Sequence, residues 1–384
     1  MGKSKQRREH EQYEDYWKIT AQWTDVYGQK FFNALRIIIN YIDANKTELE
    51  ALDDRFEDSE LYNNLQVKLV KAFDFKGDIE NAKITARKGI NQFVKLGFIY
   101  PMLKGYHPLA KKFINTTNKE EKQIIFSKIF YENSSFASGV TVDNRHLNHV
   151  GFLLRTLDKN KELSADDIQA LMYTDIDLYP NGYMTREELD SQFRASEADD
   201  FIDRKYNQKN HLISFLRNFI DLKVSTDPTK IYFADDPDIV EEEYDGKYHC
   251  DPIKLRIHRQ ELLDESIRVY GEAICYLEKK PYKGLRDSHI KAKQECVDEG
   301  HEEQAYNINN ALLLSPNTDQ YFDKHDISFE DDGKILIGDN VEPSIRIEFE
   351  RMSLDKEILT EERKRFLAYH RKIFREKNGE KNVF

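Results

Sequence analysis

The sequence lacks the cysteine pattern of cross-linked or zinc-knuckle proteins. Its three cysteines, Cys250, Cys275 and Cys296, lie far apart, and no two of them form a C-x-x-C pair. They are too few for a disulfide framework or for a zinc knuckle with four cysteine ligands. The chain therefore fits a reducing compartment, and we expect it to be cytoplasmic.

Long apolar runs are also missing. No stretch reaches the roughly 18 apolar residues that a membrane-spanning helix needs. The first residues, MGKSKQRREHEQYEDYW, contain no apolar signal core. Gln6 stands where the myristoylation pattern requires Ser or Thr. We therefore expect no membrane segment, no secretion signal and no lipid anchor.

Aromatic side chains, in contrast, are abundant. The 384 residues include 23 Phe and 21 Tyr, and 39% of the chain is hydrophobic. This content can close several hydrophobic cores, so we expect a folded protein of two or three domains. Apolar residues recur mostly at helical spacing, which predicts a mostly α fold with an α+β module at the C-terminus.

Acidic residues are in excess overall but are missing from one long window. The net charge of −12 argues against a protein that coats nucleic acid nonspecifically. Residues 81–119 contain no Asp or Glu, although the chain average of 70 in 384 would place about seven there. Two interpretations stay open, a face that meets an anion and a solvated helix face. The window holds eight cations: Lys83, Arg87, Lys88, Lys95, Lys104, Lys111, Lys112 and Lys119.

Residues 30–134 have the element order of a DNA-binding module. Three amphipathic segments, FFNALRIIINYI, LYNNLQVKLVKAF and DIENAKITARKGINQFVKLG, predict helices, and a short strand-like FIYP follows them. This order resembles the winged helix, a helix-turn-helix variant whose third helix enters the major groove. The resemblance implies DNA contacts by Arg87, Lys88, Lys95 and Lys104. The alternative is a three-helix packing unit that binds nothing.

Residues 135–236 repeat the pattern with a clearer hairpin. Ser164 with Asp167, and Thr185 with Glu188, predict the capped starts of two helices. The segments KVS and KIYFA predict strands joined by the turn TDPT. We interpret this region as a second helical domain, with a winged helix as the candidate fold.

The domain boundaries follow from these segments. The acidic, proline-bearing stretch DDPDIVEEEYDG predicts a linker. We expect an N-terminal extension at 1–29, the two helical domains at 30–134 and 135–236, a linker at 237–251 and a C-terminal domain at 252–384.

The C-terminal domain carries a long ordered motif. After Cys275 the chain reads LRDSHI, NNALLLSPN, YFD, ISF and DDGKI, and a predicted closing helix, ERKRFLAYHRKIFRE, follows. The series resembles the HNH_2-like branch of the HNH, or ββα-metal, endonucleases across about residues 259–338. A match of this length and order is far more specific than a single short motif. The resemblance implies a ββα-metal nuclease domain that hydrolyses phosphodiester bonds.

The resemblance also implies roles for individual residues. His289 takes the place of the general base, a task that suits a side chain titrating near neutral pH. Asn310 matches the family's middle Asn, which fixes the geometry of the histidine. Asp319, nine residues later, stands at a position that commonly binds the metal. Asn317 and Asp323 are supporting candidates. His301 and His370 are expected outside the site, on a loop and on a helix surface.

The chain departs from the family pattern at one position. Many HNH enzymes place Asp directly before the catalytic His, whereas this chain has Ser288 there and Asp287 one residue earlier. Because strand side chains alternate, Asp287 should lie on the same side as His289. Asp287 and Ser288 are therefore both candidate metal ligands beside Asp319, for one Mg²⁺ or Mn²⁺ per active site.

Two DNA-reading domains fused to an HNH module resemble a bacterial type II restriction endonuclease. This architecture implies double-stranded DNA as substrate and a cognate DNA methyltransferase in the same system. Cutting both strands of a palindrome implies a homodimer. Two alternatives remain open. One is a modification-dependent or other anti-phage HNH nuclease, and the other is a winged-helix regulator with an inactive nuclease domain.

Overall fold

The computed structural model describes residues 16–52, 59–73, 75, 77–137, 147–234 and 251–378, without the side chains of 202–204. The chain divides into two compact units, 1–234 and 235–384. The predicted linker, 237–251, lies outside the described residues except for Asp251, and so does Cys250. No helix in the described ranges has the length and apolar character to span a membrane.

The first unit is helical with one small sheet. Its helices and strands are α1 Gln29–Ala44, α2 Lys46–Ala51, α3 Glu60–Phe73, α4 Ile79–Lys95, α5 Ala110–Asn115, α6 Lys119–Asn133, α7 His149–Asn160, β1 Glu162–Ser164, α8 Ala165–Met172, α9 Arg186–Ala198, α10 Phe201–Leu216, β2 Leu222–Val224 and β3 Lys230–Phe233. The three strands form an antiparallel sheet in the order β1-β3-β2.

Local sequence signals fix several ends of these helices. Asp78 caps α4 by accepting a hydrogen bond from the backbone N–H of Asn81, and Gly97 follows the helix with φ +85°, a conformation that favours glycine. The capping boxes at Ser164 and Thr185 are both formed. These starts were predicted from the sequence and are confirmed.

The N-terminal segment belongs to the core of the first unit. Trp17 and Val26 are buried. The Trp17 N–H donates to the carbonyl of Met172, and the Lys18 N–H donates to that of Phe136. The Trp23 N–H donates to Oε1 of Gln92, which precedes the predicted boundary at residue 134. The segment therefore joins parts of the chain on both sides of that boundary. The described part of the predicted extension is not peripheral, and the two predicted helical domains form one compact unit.

The two predicted wings differ in extent. Between α4 and α5, the described residues pair only through an isolated antiparallel bridge that joins Ile99 and Tyr106. Between these residues lies a short 3-10 turn, Pro101–Leu103. In the second region β2 and β3 form a true hairpin, with Val224 opposite Ile231, and β3 also pairs with β1.

The second unit is an α+β domain built around one apolar strand. Its elements are α11 Pro252–Tyr270, β4 Arg286–His289, α12 Lys293–Asp298, β5 Ala311–Leu314, α13 Pro316–Asp323, β6 Ile327–Phe329, β7 Ile335–Ile337, α14 Pro343–Phe349 and α15 Glu361–Lys377. β4 pairs antiparallel with β5, and β6 with β7. All four residues of β5 are fully buried in a core that includes Leu262 of α11, Phe322 of α13 and Leu367 of α15.

Candidate active site

The strand β4 carries polar side chains on both of its faces. Asp287 and His289 contact α11, whereas Ser288 contacts α13. This alternation is the normal geometry of a strand. Its partner β5 is apolar throughout and buried, so β5 anchors β4 in the core. The buried run that follows Asn310 thus forms the rigid support of the site.

The ring of His289 is fixed by a main-chain carbonyl. Its Nε2 lies 2.9 Å from the carbonyl oxygen of Ala305. A carbonyl can only accept a hydrogen bond, so Nε2 must carry the proton and Nδ1 keeps its lone pair. Burial, reinforced by the charges of His258 and Lys293, lowers the pKa of His289 to about 3. His289 is therefore a neutral imidazole with Nδ1 as the proton acceptor.

Asn310 holds the chain on both sides of the site and has no exposed surface. Its Oδ1 accepts from the Lys291 N–H at 2.8 Å. Its Nδ2 donates to the carbonyls of Lys291 and Gln304, each at 3.0 Å. The Ile290 N–H donates to the Asn310 carbonyl at 2.9 Å. The Asn310 Nδ2 also lies 3.6 Å from Sγ of Cys296. Asn310 therefore fixes the segment directly after His289.

The opposite face of β4 meets α13 through hydroxyl and carboxylate groups. The buried Ser288 hydroxyl donates a hydrogen bond to Asp319. Asp323 lies one helical turn after Asp319, on the same side of α13. Burial raises the pKa of Asp319, and partial burial with the neighbouring Asp319 carboxylate raises that of Asp323 to about 6. Two carboxylates that repel each other in this way are suited to a nearby cation.

Asp287 is engaged differently from the sequence expectation. Its carboxylate lies 3.3 Å from a guanidinium nitrogen of Arg259 and 3.5 Å from Nδ1 of His258. Burial opposes its ionisation, but these groups together with His289 hold the pKa of Asp287 well below its usual range. As the alternation of strand side chains predicts, Asp287 lies on the same face of β4 as His289. The carboxylate is nevertheless bound to α11 and not joined to Ser288 or Asp319.

Oxygen ligands for a divalent cation are present but incomplete. No three His, Cys, Asp or Glu side chains in the described parts of the chain converge as a cation site. Ser288, Asp319 and Asp323 together offer one hydroxyl and two carboxylates. Mg²⁺ is usually held by one or two carboxylates, substrate phosphate oxygens and water, so this set fits Mg²⁺ or Mn²⁺ without a full protein shell.

Lys293 connects the two faces of the site electrostatically. Its charge disfavours protonation of His289 and partly offsets the rise in the pKa of Asp323 that burial and Asp319 cause. Both groups thus lie within the electrostatic reach of one cation near the end of β4. The remaining supporting candidate, Asn317, is exposed on the first turn of α13.

Several residues that shape the site carry no motif. Glu278 accepts hydrogen bonds from the hydroxyls of Ser315 and Thr318 and so holds the first turn of α13. Arg363 is fully buried, pairs with Glu265 at 2.8 Å and donates to the Ile308 carbonyl at 2.9 Å, two residues before Asn310. A charged residue inside an amphipathic helix pattern gives no sign that it is buried, and this is why Arg363 could not be singled out from the sequence.

The other histidines of the second unit differ in burial. His301 is exposed, as expected for a loop residue. His370, expected on a helix surface, is instead buried with its ring stacked on that of Phe322 at 4.0 Å. Its Nε2 lies 3.1 Å from the Phe322 carbonyl and its Nδ1 2.9 Å from the Ser328 hydroxyl. The prediction of a surface position for His370 was wrong, because its helix α15 packs that face on β6.

In the first unit, the structure separates the four predicted DNA-binding cations. Arg87 and Lys88 are exposed on α4. Lys95 is buried, and its ammonium donates to the carbonyls of Lys18 and Ala137. Burial lowers the pKa of Lys95 to about 7. A lysine held in this way cannot reach a phosphate, so Lys95 is removed from the DNA-binding set.

Lys104 also has a structural partner. Its ammonium donates to the carbonyls of Leu49, Glu50 and Leu52, at the C-terminal end of α2. Carbonyls in the last turn of a helix need hydrogen-bond donors from outside the i+4 pattern, so Lys104 caps α2. Three further cations of the acid-free window pair with acids outside it, as Lys83 with Glu80, Lys111 with Asp43 and Lys112 with Glu121. The window is therefore much less basic in space than in sequence.

Comparison with known families supports the interpretation of the second unit. Residues 273–330 match the family HNH_2, an HNH endonuclease. The match spans β4 with His289, the turn that ends at Asn310, β5, α13 with Asp319, and β6. The second unit therefore contains a segment similar to HNH endonucleases, and DNA is the substrate that such a domain implies. HNH nucleases typically use a divalent metal. No curated protein matches the chain.

Proposed function

We propose that the protein is a metal-dependent endonuclease that cuts double-stranded DNA with His289 as general base. The observation that carries the proposal is the hydrogen bond from His289 Nε2 to the Ala305 carbonyl, which leaves Nδ1 as a fixed proton acceptor. In this role Nδ1 takes a proton from the water that attacks the phosphorus atom. A substrate phosphate beside the ring favours the imidazolium and raises its low pKa toward the working range.

Ser288, Asp319 and Asp323 would hold one Mg²⁺ or Mn²⁺ on the other face of β4. When bound, the cation supplies charge stabilisation at the phosphate and at the leaving 3′ oxygen. Ser288 orients Asp319 through its hydroxyl, and Glu278 keeps the first turn of α13 in place. Asn310 holds the chain after His289 so that the base keeps its position during turnover.

The first unit is proposed to select the DNA sequence, as in a type II restriction endonuclease. Two features support this proposal: the exposed cations Arg87 and Lys88 on α4, and the hairpin β2–β3 paired with β1. Such an enzyme would act in the cytoplasm as a homodimer on a palindrome, beside a cognate methyltransferase that protects the host.

A plasmid assay with the purified protein tests the proposal. We expect cleavage that needs Mg²⁺ or Mn²⁺, stops with a chelator and leaves discrete ends at one sequence. Sequencing those ends gives the site and the stagger. Cutting restricted to methylated DNA would point to a modification-dependent nuclease. Specific binding without cleavage under any divalent cation would point to a DNA-binding regulator and overturn the proposal.

A further inference from the structure

His258 is a buried histidine that lies behind the ring of His289. It sits in α11 and is only 1% exposed. Its ring stacks on that of His289, with centroids 5.1 Å apart and planes inclined by 20°. Neither of its ring nitrogens has a hydrogen-bond partner in the described residues. Leaving a buried imidazole unsatisfied costs free energy, so simple space filling is a poor reason for a histidine here.

Asp287 places a carboxylate beside this histidine pair. Its Oδ2 lies 3.5 Å from Nδ1 of His258, just beyond a good hydrogen bond. Arg259 holds the other oxygen at 3.3 Å. Asp287 and His289 are two residues apart on β4 and therefore share its α11 face. The negative charge is thus fixed on the side of the base and away from the Ser288–Asp319 contact.

We propose that His258 and Asp287 are a positioning pair for His289. The His258 ring keeps the plane of the base by stacking, and the Asp287 carboxylate favours the imidazolium that forms on proton transfer. This inference rests on the proposed role of His289 as general base. In this inference Asp287 supports the general base His289, whereas the sequence pattern suggested that Asp287 binds the metal.

The charge balance of proton transfer supports a need for this pair. When Nδ1 of His289 takes the proton from water, the ring gains a positive charge in a buried setting. The Asp287 carboxylate, between Arg259 at 3.3 Å and Nδ1 of His258 at 3.5 Å, lies on the α11 face of β4 that His289 shares. It therefore places a negative charge on the side where the positive charge forms. The tautomer itself is already set by Ala305, so the pair acts on orientation and charge.

Steady-state cleavage by full-length variants separates a positioning role from metal binding. For Asp287→Asn we expect kcat to fall roughly 10- to 100-fold, as for groups that orient a reacting residue. The Mg²⁺ concentration for half-maximal activity and the KM for DNA should stay as in the wild type. Asp319→Asn is the comparison, because loss of a ligand raises the Mg²⁺ requirement. Asp298→Asn, an exposed acid on α12, is the matched control.

Two substitutions at His258 separate the ring from its nitrogens. His258→Phe keeps a flat ring against His289 and should retain more of kcat than His258→Ala, which removes the stack. His301→Ala controls for loss of an exposed histidine. Thermal unfolding checks that each variant is folded. If His258→Ala does not fold, Asp287→Asn and His258→Phe still decide the question.

A readout without catalysis distinguishes failure of this inference from failure of the proposed function. NMR of the ¹⁵N-histidine-labelled full-length protein, without DNA or metal, should show His289 as a single Nε2–H tautomer. Because Ala305 sets the tautomer, we expect His258→Ala to keep the Nε2–H form but to broaden or shift the His289 signals as the ring loses its fixed orientation. His301→Ala should leave these signals as in the wild type. An unchanged His289 signal and unchanged kcat in His258→Ala and Asp287→Asn would overturn the inference. A Mg²⁺ requirement raised in Asp287→Asn as much as in Asp319→Asn would return Asp287 to the metal site.

Should the wild type cleave no DNA with any divalent cation, the proposed function fails. The NMR comparison would then still show whether His258 orders His289.

Discussion

The Ser288 hydroxyl donates a hydrogen bond to the Asp319 carboxylate across 31 residues of sequence. This contact ties the strand that carries His289 to the helix that carries both acids. It also explains how a serine stands where many HNH enzymes have an aspartate. The serine orients an acid supplied by α13, and in the proposed metal site it would add one oxygen of its own.

Asp319→Asn should weaken metal use more than DNA binding. Replacing the carboxylate by an amide removes one negative charge from the proposed cation site. The Mg²⁺ concentration for half-maximal cleavage should therefore rise by roughly 10-fold or more. Mn²⁺ should restore part of the rate, because it binds nitrogen and oxygen ligands more strongly than Mg²⁺. Cleavage titrated against each metal measures both effects. A wild-type Mg²⁺ requirement in this variant would remove Asp319 from the proposed site.

His289→Ala should abolish cleavage and leave DNA binding intact. A general base contributes to the chemical step, typically about 10²- to 10⁴-fold, and makes no groove contact. Single-turnover cleavage and fluorescence anisotropy on the same DNA measure the two properties. His301→Ala is the control. Parallel loss of binding and cleavage would argue that His289 holds DNA and does not act as a base.

Asn310→Ala should destabilise the second unit. The substitution leaves the buried Lys291 N–H and two carbonyls without their partner. The free energy of unfolding should fall by about 2–4 kcal/mol, since unpaired buried polar groups are costly. Urea unfolding followed by circular dichroism measures this change. Asn317→Ala, at an exposed position, should change stability by less than about 0.5 kcal/mol.

Replacing Arg87 and Lys88 together by Gln should weaken DNA binding and reduce its salt dependence. The log–log slope of affinity against salt falls by about 0.9 for every phosphate that the protein no longer neutralises. Lys95→Gln should instead lower the stability of the first unit, because it removes the donor for two carbonyls in a buried place. Binding titrations at several salt concentrations, with Lys46→Gln as control, test the first statement. An unchanged slope would mean that α4 does not bind phosphates.

The stability of the second unit should fall as the pH drops below about 6.5. Burial lowers the pKa of His370 to about 3, so the unfolded chain binds a proton there before the folded one does. The stabilisation is complete above the unfolded pKa of about 6.5 and is lost at about 1.4 kcal/mol per pH unit toward pH 3. Thermal unfolding at pH 7.5 and 5.5 should show a smaller difference in His370→Gln than in the wild type. Equal differences would show that His370 is not kept neutral.

Local order along the chain decided what could be read directly from the sequence. The capping boxes at Ser164 and Thr185 and the end of α4 before Gly97 depend on residues a few positions apart. The HNH series is equally local, because its residues follow one another within one domain. These features were predicted correctly because each short segment contains the groups that satisfy it.

The tertiary structure decided what each charged group does. Lys95 and Arg87 look alike in sequence, yet one ammonium is bound to carbonyls from residues 18 and 137 and the other cation is exposed. Asp287 pairs with α11, and the buried His258 has no motif at all. Burial and pairing are set by partners tens of residues away, and they fix both the charge state of a group and what it can reach. Sequence alone therefore proposed a base and its neighbours, while packing determined which of these side chains contact one another.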